Sequence, residues 1–66
     1  MSKTYKIIFH NKTTAALFLW EIHAWNIGDS RYRLNTESLT FYHCGTDVVD
    51  VLTETFNQTA YILTTE

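Results

Sequence analysis

The chain of 66 residues lacks proline, has only two glycines and one cysteine, and contains no long apolar run. A single cysteine excludes an intramolecular disulfide. Because no further cysteines stand at metal-binding spacing, a structural zinc site is not expected either. Two isolated glycines cannot build a glycine-rich loop around a phosphate. Because no segment approaches the ~20 apolar residues of a membrane span and the first ten residues have no signal-peptide core, we expect a cytoplasmic protein.

Basic and acidic residues are divided unevenly along the chain. All five lysines and arginines lie at or before Arg33, together with two of the seven acids, whereas the segment from Leu34 onward has five acids and no base. Such a division can polarise the surface although the net charge is only −2. Compositional drift in a short chain is an equally good explanation, and the acidic half opposes non-specific binding to phosphates.

The chain length allows one domain, which we expect to span residues 1–66. A chain of this size buries only about 60% of the surface that it exposes when unfolded, so a binding partner would help its stability. Apolar periodicity and turn-forming residues predict six elements joined by short polar connections. These are a strand at 4–10, a helix at 13–27, strands at 31–34 and 39–44, a helix at 46–57 and a strand at 60–64.

The order of these elements favours a ferredoxin-like βαββαβ fold, an α+β arrangement with a four-stranded antiparallel sheet and both helices on one face. The predicted first helix decides between this fold and its alternative. Thr13 and Thr14 can cap such a helix and Gly28 can end it. Residues 15–25 also alternate as they would in a strand, and that reading gives a β-meander with a single helix at 46–57. We favour the helix.

The predicted first helix has more apolar surface than one contact with the sheet can cover. At about 100° per residue it carries two apolar stripes. One stripe consists of Leu17, Trp20, Ala24 and Ile27, and the other of Phe18, Ile22 and Trp25. The first stripe is longer and includes the small Ala24, so we assign it to the core and the second stripe to a protein partner.

The simplest such partner is a second copy of the chain related by a two-fold axis, which would make a homodimer. The second helix offers another candidate contact, because its acidic side chains point outward. These are Asp47, Asp50 and Glu54, of which the first two also suit the positive end of the helix dipole.

Residues capable of metal binding or catalysis are few and poorly placed. The end of the first helix approaches the end of the third strand, which brings His23, His43 and Cys44 towards one another. Consecutive strand residues point to opposite faces, however, so His43 and Cys44 would not chelate one ion together. Cys44 has no oriented base to activate it and is better explained as a small buried apolar residue. We therefore expect no enzyme activity, no metal and no cofactor.

The open face of the predicted sheet gives an alternative function. Alternation could place Lys6, Arg31, Arg33 and Tyr42 there, a mildly basic surface with one aromatic ring. Small RNA- or single-strand-binding domains combine a basic groove with stacking aromatics, usually two or three on a sheet. The single aromatic makes this the second choice.

The first choice is a small non-catalytic protein-binding module, an inhibitor or adaptor that acts by direct protein–protein contact. It is comparable in size and style to a small phage-encoded factor that acts on a host or defence protein, which is an analogy and not a motif match.

Overall fold

A computed structural model describes residues 3–66. It contains four strands and two α-helices in the order βαββαβ, with a short 3₁₀ turn after the first helix and another before the last strand. The elements are β1 (Tyr5–Phe9), α1 (Lys12–Ala24), β2 (Arg33–Asn35), β3 (Thr40–Cys44), α2 (Thr46–Thr55) and β4 (Tyr61–Thr65), and the 3₁₀ turns are Asp29–Arg31 and Gln58–Ala60. Each predicted element is present, and its ends differ from the prediction by no more than three residues.

The strands form one sheet in the order β2-β3-β1-β4, and all three neighbouring pairs are antiparallel. Both helices pack on the same face, because the buried residues of α1 and α2 belong to one apolar cluster with those of the sheet. This is the ferredoxin-like arrangement that the sequence predicted. The alternative β-meander is wrong, because residues 12–24 are helical.

Phenylalanine rings form the centre of the core. Phe18 on α1 lies 5.3 Å from Phe9 on β1 and 5.0 Å from Phe41 on β3, measured between ring centroids. The rings meet tilted or edge to face, which is the geometry that aromatic quadrupoles favour. Phe56, just after α2, closes the cluster 5.9 Å from Phe18. The core is therefore a junction of α1, β1, β3 and the end of α2.

The start and end of α1 differ from the prediction. Asn11 caps the helix, because its Oδ1 accepts hydrogen bonds from the backbone N–H of Thr14 at 2.8 Å and from the Thr14 hydroxyl at 2.9 Å. At the other end Asn26, with φ of 60°, takes the left-handed position expected for Gly28. The N–H groups of Asn26 and Ile27 then bond back to carbonyl oxygens in the last turn, which is a Schellman motif.

A β-bulge interrupts the alternation of β3. Tyr5 pairs with Cys44 and Ile7 pairs with Phe41, so two residues of β3 face the single residue Lys6 of β1. The extra residue is His43, whose φ of 55° is in the left-handed region. Because of this insertion, Phe41 and Cys44 both point into the core although they are three positions apart.

Candidate protein-binding surface

The outer side of α1 is apolar and exposed. Leu17 is 54% exposed and Trp20 is 68% exposed, and residues three apart on a helix are surface neighbours. Ala16 and Ala24, on either side of them, are also exposed. Contiguous apolar surface of this kind marks an interaction site more often than scattered single residues do. We call Ala16, Leu17, Trp20 and Ala24 the outer face of α1.

The structure reverses the predicted assignment of the two stripes. Phe18 and Ile22, which the sequence assigned to a partner, are fully buried, whereas Leu17 and Trp20, which it assigned to the core, are exposed. The residues that pack on the sheet follow the spacing i, i+3, i+4, i+7, which is the usual core-facing pattern. They are Ala15, Phe18, Leu19 and Ile22.

Trp25 is the one member of the predicted partner-binding stripe that remains accessible, at 48% exposed. It is the C-cap residue of α1, and its backbone N–H bonds to the carbonyl oxygen of Glu21 at 3.0 Å. Ile27, predicted for the core, lies beyond the helix end and packs against the core as expected.

An apolar groove lies beside the outer face of α1, between the first two turns of the helix and the β2–β3 hairpin. Its volume is about 150 Å³, and Ala16 belongs to both the outer face and the groove wall. The other lining residues are Lys12, Ala15, Leu19, Leu34, Thr36 and Leu39.

Leu39 in the groove wall has a strained backbone. Its φ is 54°, in the left-handed region that costs a bulky L-residue about 1–2 kcal/mol. Its carbonyl oxygen accepts a hydrogen bond from the N–H of Phe9 at 3.2 Å, which holds the hairpin against β1. Residues with strained backbones are often found at functional sites. A leucine at a position that favours glycine therefore supports the groove as a candidate binding site.

One of the three acidic residues predicted to contact a partner on α2 already forms an ion pair within the chain. Asp47 receives two hydrogen bonds from Arg31, from Nε at 3.0 Å and from Nη2 at 3.1 Å. The bonds from Arg31 are the main reason why the pKa of Asp47 is lowered, and they raise the pKa of Arg31. Asp50 and Glu54 are exposed on α2. Asp47 therefore stabilises the start of α2, and only the other two carboxylates are available to a partner.

Three of the four residues proposed for nucleic-acid binding share the open face of the sheet. The β2–β3 register places Arg33 opposite Tyr42, and the β1–β3 register, continued from the Ile7–Phe41 pair, places Tyr42 opposite Lys6. The prediction that Arg31 lies on this face is wrong, because Arg31 lies in a 3₁₀ turn and pairs with Asp47.

The buried thiol of Cys44 is unsuited to nucleophilic chemistry. Burial raises the pKa of Cys44 to about 12, with smaller contributions from Glu66 and Asp47. The thiolate is the reactive form, and it is scarcely populated near neutral pH at such a pKa. Within residues 3–66 no three His, Cys, Asp or Glu side chains gather as a metal site would require.

No protein-family model matches the chain, and no curated protein or solved structure matches it. In the described part of the chain no helix has the length and apolar character needed to cross a membrane.

Proposed function

We propose that the protein is a non-catalytic protein-binding module that acts as an inhibitor or adaptor through the outer face of α1. The observation that carries this proposal is the pair of large apolar side chains, Leu17 and Trp20, that stand exposed on adjacent turns. Tryptophan is among the residues most enriched in binding hot spots, because one side chain supplies a large apolar area at a low entropy cost.

The partner that fits best has an apolar groove that receives α1. Leu17, Trp20 and Ala24 follow the spacing i, i+3, i+7 of a helix that binds in a groove. The outer face has no formal charge, so burying it leaves no carboxylate or ammonium group without water. An inhibitor of this type would occupy the groove that the target uses for its own ligand.

A second copy of the chain suits this surface less well. A standard interface buries ~800 Å² per partner, and the whole described chain has 4509 Å² of accessible surface. A 13-residue helix is about 20 Å long and about 10 Å wide, so its outer face covers only a fraction of that requirement. Two α1 helices packed face to face would bury little beyond these narrow strips, whereas a concave partner could also reach the groove beside Leu39.

The test compares Trp20→Ser with a matched control, Ile62→Ser. Ile62 is a 48% exposed apolar residue on β4, on the opposite side of the sheet. Affinity capture with the wild type and both variants should yield a protein that the wild type and Ile62→Ser retain and Trp20→Ser loses. Calorimetry with the purified partner should then show a loss of ~2 kcal/mol or more for Trp20→Ser, as for a hot-spot tryptophan.

Sedimentation of the wild type addresses the homodimer directly. If the protein is a stable dimer that Trp20→Ser converts to a monomer, the partner is a second copy and the hetero-partner proposal is wrong. Equal binding by the two variants would show that the outer face of α1 is not the binding surface.

A further inference from the structure

The open face of the sheet, on the side away from the helices, carries a row of residues that the proposed protein contact does not use. Arg33 on β2, Tyr42 on β3 and Lys6 on β1 follow one another across three neighbouring strands. Adjacent strands are about 4.8 Å apart, so a cation flanks the aromatic residue on each side. We call these three residues the basic row.

A second row lies beside the basic row, two residues further along each of the three strands, and extends onto β4. It consists of Asn35, Thr40, Ile8 and Ile62, which the register pairs in that order. Ile62 is nearly half exposed and Ile8 is partly accessible. The open face therefore combines two cations and an aromatic ring with a small apolar strip beside them.

The strand positions on this face include no acid, although the chain has seven. Two carboxylates border the face. Glu37 lies in the β2–β3 turn, and Glu66, just after β4, accepts a hydrogen bond from the N–H of His43 at 2.6 Å. The exposed acids of α2 lie on the other side of the sheet. The strand positions of the open face thus carry two positive charges and no negative charge, in a chain of net charge −2, and such positions suit a polyanion.

We propose that the open face of the sheet binds single-stranded nucleic acid. Lys6 and Arg33 contact backbone phosphates, and a base stacks on Tyr42. A single strand is favoured over a duplex because only unpaired bases can present a free face to an aromatic ring. It is favoured over an acidic peptide because every base has a flat ring that can stack on Tyr42, whereas carboxylate side chains have none.

The size of the contact predicts weak, salt-dependent binding. Two phosphate contacts to a single strand give a slope of about −1.4 in log K against log salt, so affinity should fall about seven-fold between 50 and 200 mM KCl. Loss of one base stack should weaken binding about 5- to 150-fold.

The experiment is fluorescence anisotropy of the whole chain with fluorescein-labelled dT12 and U12. Tyr42→Ala should weaken binding about 5- to 150-fold, as expected for the loss of one base stack, and Tyr42→Phe should keep the wild-type affinity. Lys6→Gln and Arg33→Gln should each reduce the salt slope by about 0.7. Lys12→Gln removes the same charge from α1, away from the sheet, and should change neither the affinity nor the slope. Binding of either labelled strand supports the proposal.

Several results would overturn it. These are an absence of binding to both strands at 50 mM KCl, a loss with Lys12→Gln equal to that with Lys6→Gln, equal affinity for a 12-base-pair duplex, and equally effective competition by polyglutamate. If circular dichroism shows that Tyr42→Ala is unfolded, the salt slopes of the folded charge variants decide. Trp20→Ser should leave oligonucleotide binding unchanged, so this proposal and the protein-binding proposal can fail separately.

Discussion

Removing the smaller of two aromatic side chains on α1 should damage the protein more than removing the larger one. The change to make is Phe18→Ala, with Trp20→Ala as its matched control on the same helix. Phe18 is fully buried, whereas Trp20 is 68% exposed. If size alone decided the effect, the tryptophan variant would be the less stable of the two.

The expected magnitudes follow from what each side chain contacts. Phe18 meets Phe9, Phe41 and Phe56 with ring centroids 5.0–5.9 Å away. Emptying such a site costs about 3–5 kcal/mol. At about 0.05–0.15 kcal/mol per residue the whole chain is stable by only ~3–10 kcal/mol, so Phe18→Ala should remove a large part of the free energy of unfolding. Trp20→Ala should lose less than ~1 kcal/mol, because most of its surface is already in water.

Urea and thermal unfolding followed by circular dichroism measure both effects. For a domain of this size ~1 kcal/mol corresponds to about 4–8 °C in Tm. A Trp20→Ala variant as unstable as Phe18→Ala would show that the outer face of α1 is part of the core. A Phe18→Ala variant that keeps the wild-type Tm would show that the Phe18 ring contributes little to the core.

Three further predictions concern single contacts. Asn11→Ala removes the cap that binds Thr14 and should lower stability by about 1 kcal/mol in urea unfolding, with a loss of helical signal. Cys44, whose pKa is raised to about 12, should react with a thiol reagent only as fast as the chain unfolds, so labelling faster than urea-induced opening would contradict its burial. The pKa of Asp47 is lowered by Arg31, so stabilisation by this pair should be present at neutral pH and lost as the pH falls through the lowered pKa. Wild type and Arg31→Gln should therefore differ in Tm at pH 7 and converge in acid.

The sequence predicted the element order, the sheet and the placement of the helices correctly, because these depend on periodicity and turn chemistry. Apolar stripes and polar connections are local, so they can be recognised without knowing what they pack against. Element ends were less accurate. Asn11 and Asn26 took the capping positions assigned to Thr13 and Gly28, since asparagine both accepts a hydrogen bond at a helix start and tolerates positive φ at its end.

The stripe assignment failed because both stripes of α1 are apolar and their relative length says little about which one faces the sheet. The deciding contacts come from Phe9 and Phe41, which are distant in sequence. One local signal was available. Ala15, Phe18, Leu19 and Ile22 fill the i, i+3, i+4, i+7 pattern completely, and this set leaves both tryptophans outside. A buried indole needs an acceptor for its N–H, whereas phenylalanine and isoleucine need none.

The bulge in β3 is a feature that sequence periodicity does not predict. Strict alternation places Cys44 on the same face as Thr40 and Tyr42. Histidine is more frequent at positive φ than most residues, but a single histidine in a strand does not by itself predict an insertion. Only pairing with β1 reveals that His43 is the extra residue. The insertion leaves Tyr42 across from Lys6, as the regular register has it, and sends the thiol of Cys44 into the core.

The two-layer fold explains which surfaces carry the exposed apolar side chains. Among the described residues, four large apolar side chains stay exposed outside the helix–sheet interface, and these are Leu17, Trp20, Trp25 and Ile62. Such side chains must lie on the outside of a helix or on the open side of the sheet, which are the only two broad surfaces of such a fold. Leu17 and Trp20 occupy the first and Ile62 the second. The sheet separates these surfaces, so a substitution on one should leave binding at the other unchanged.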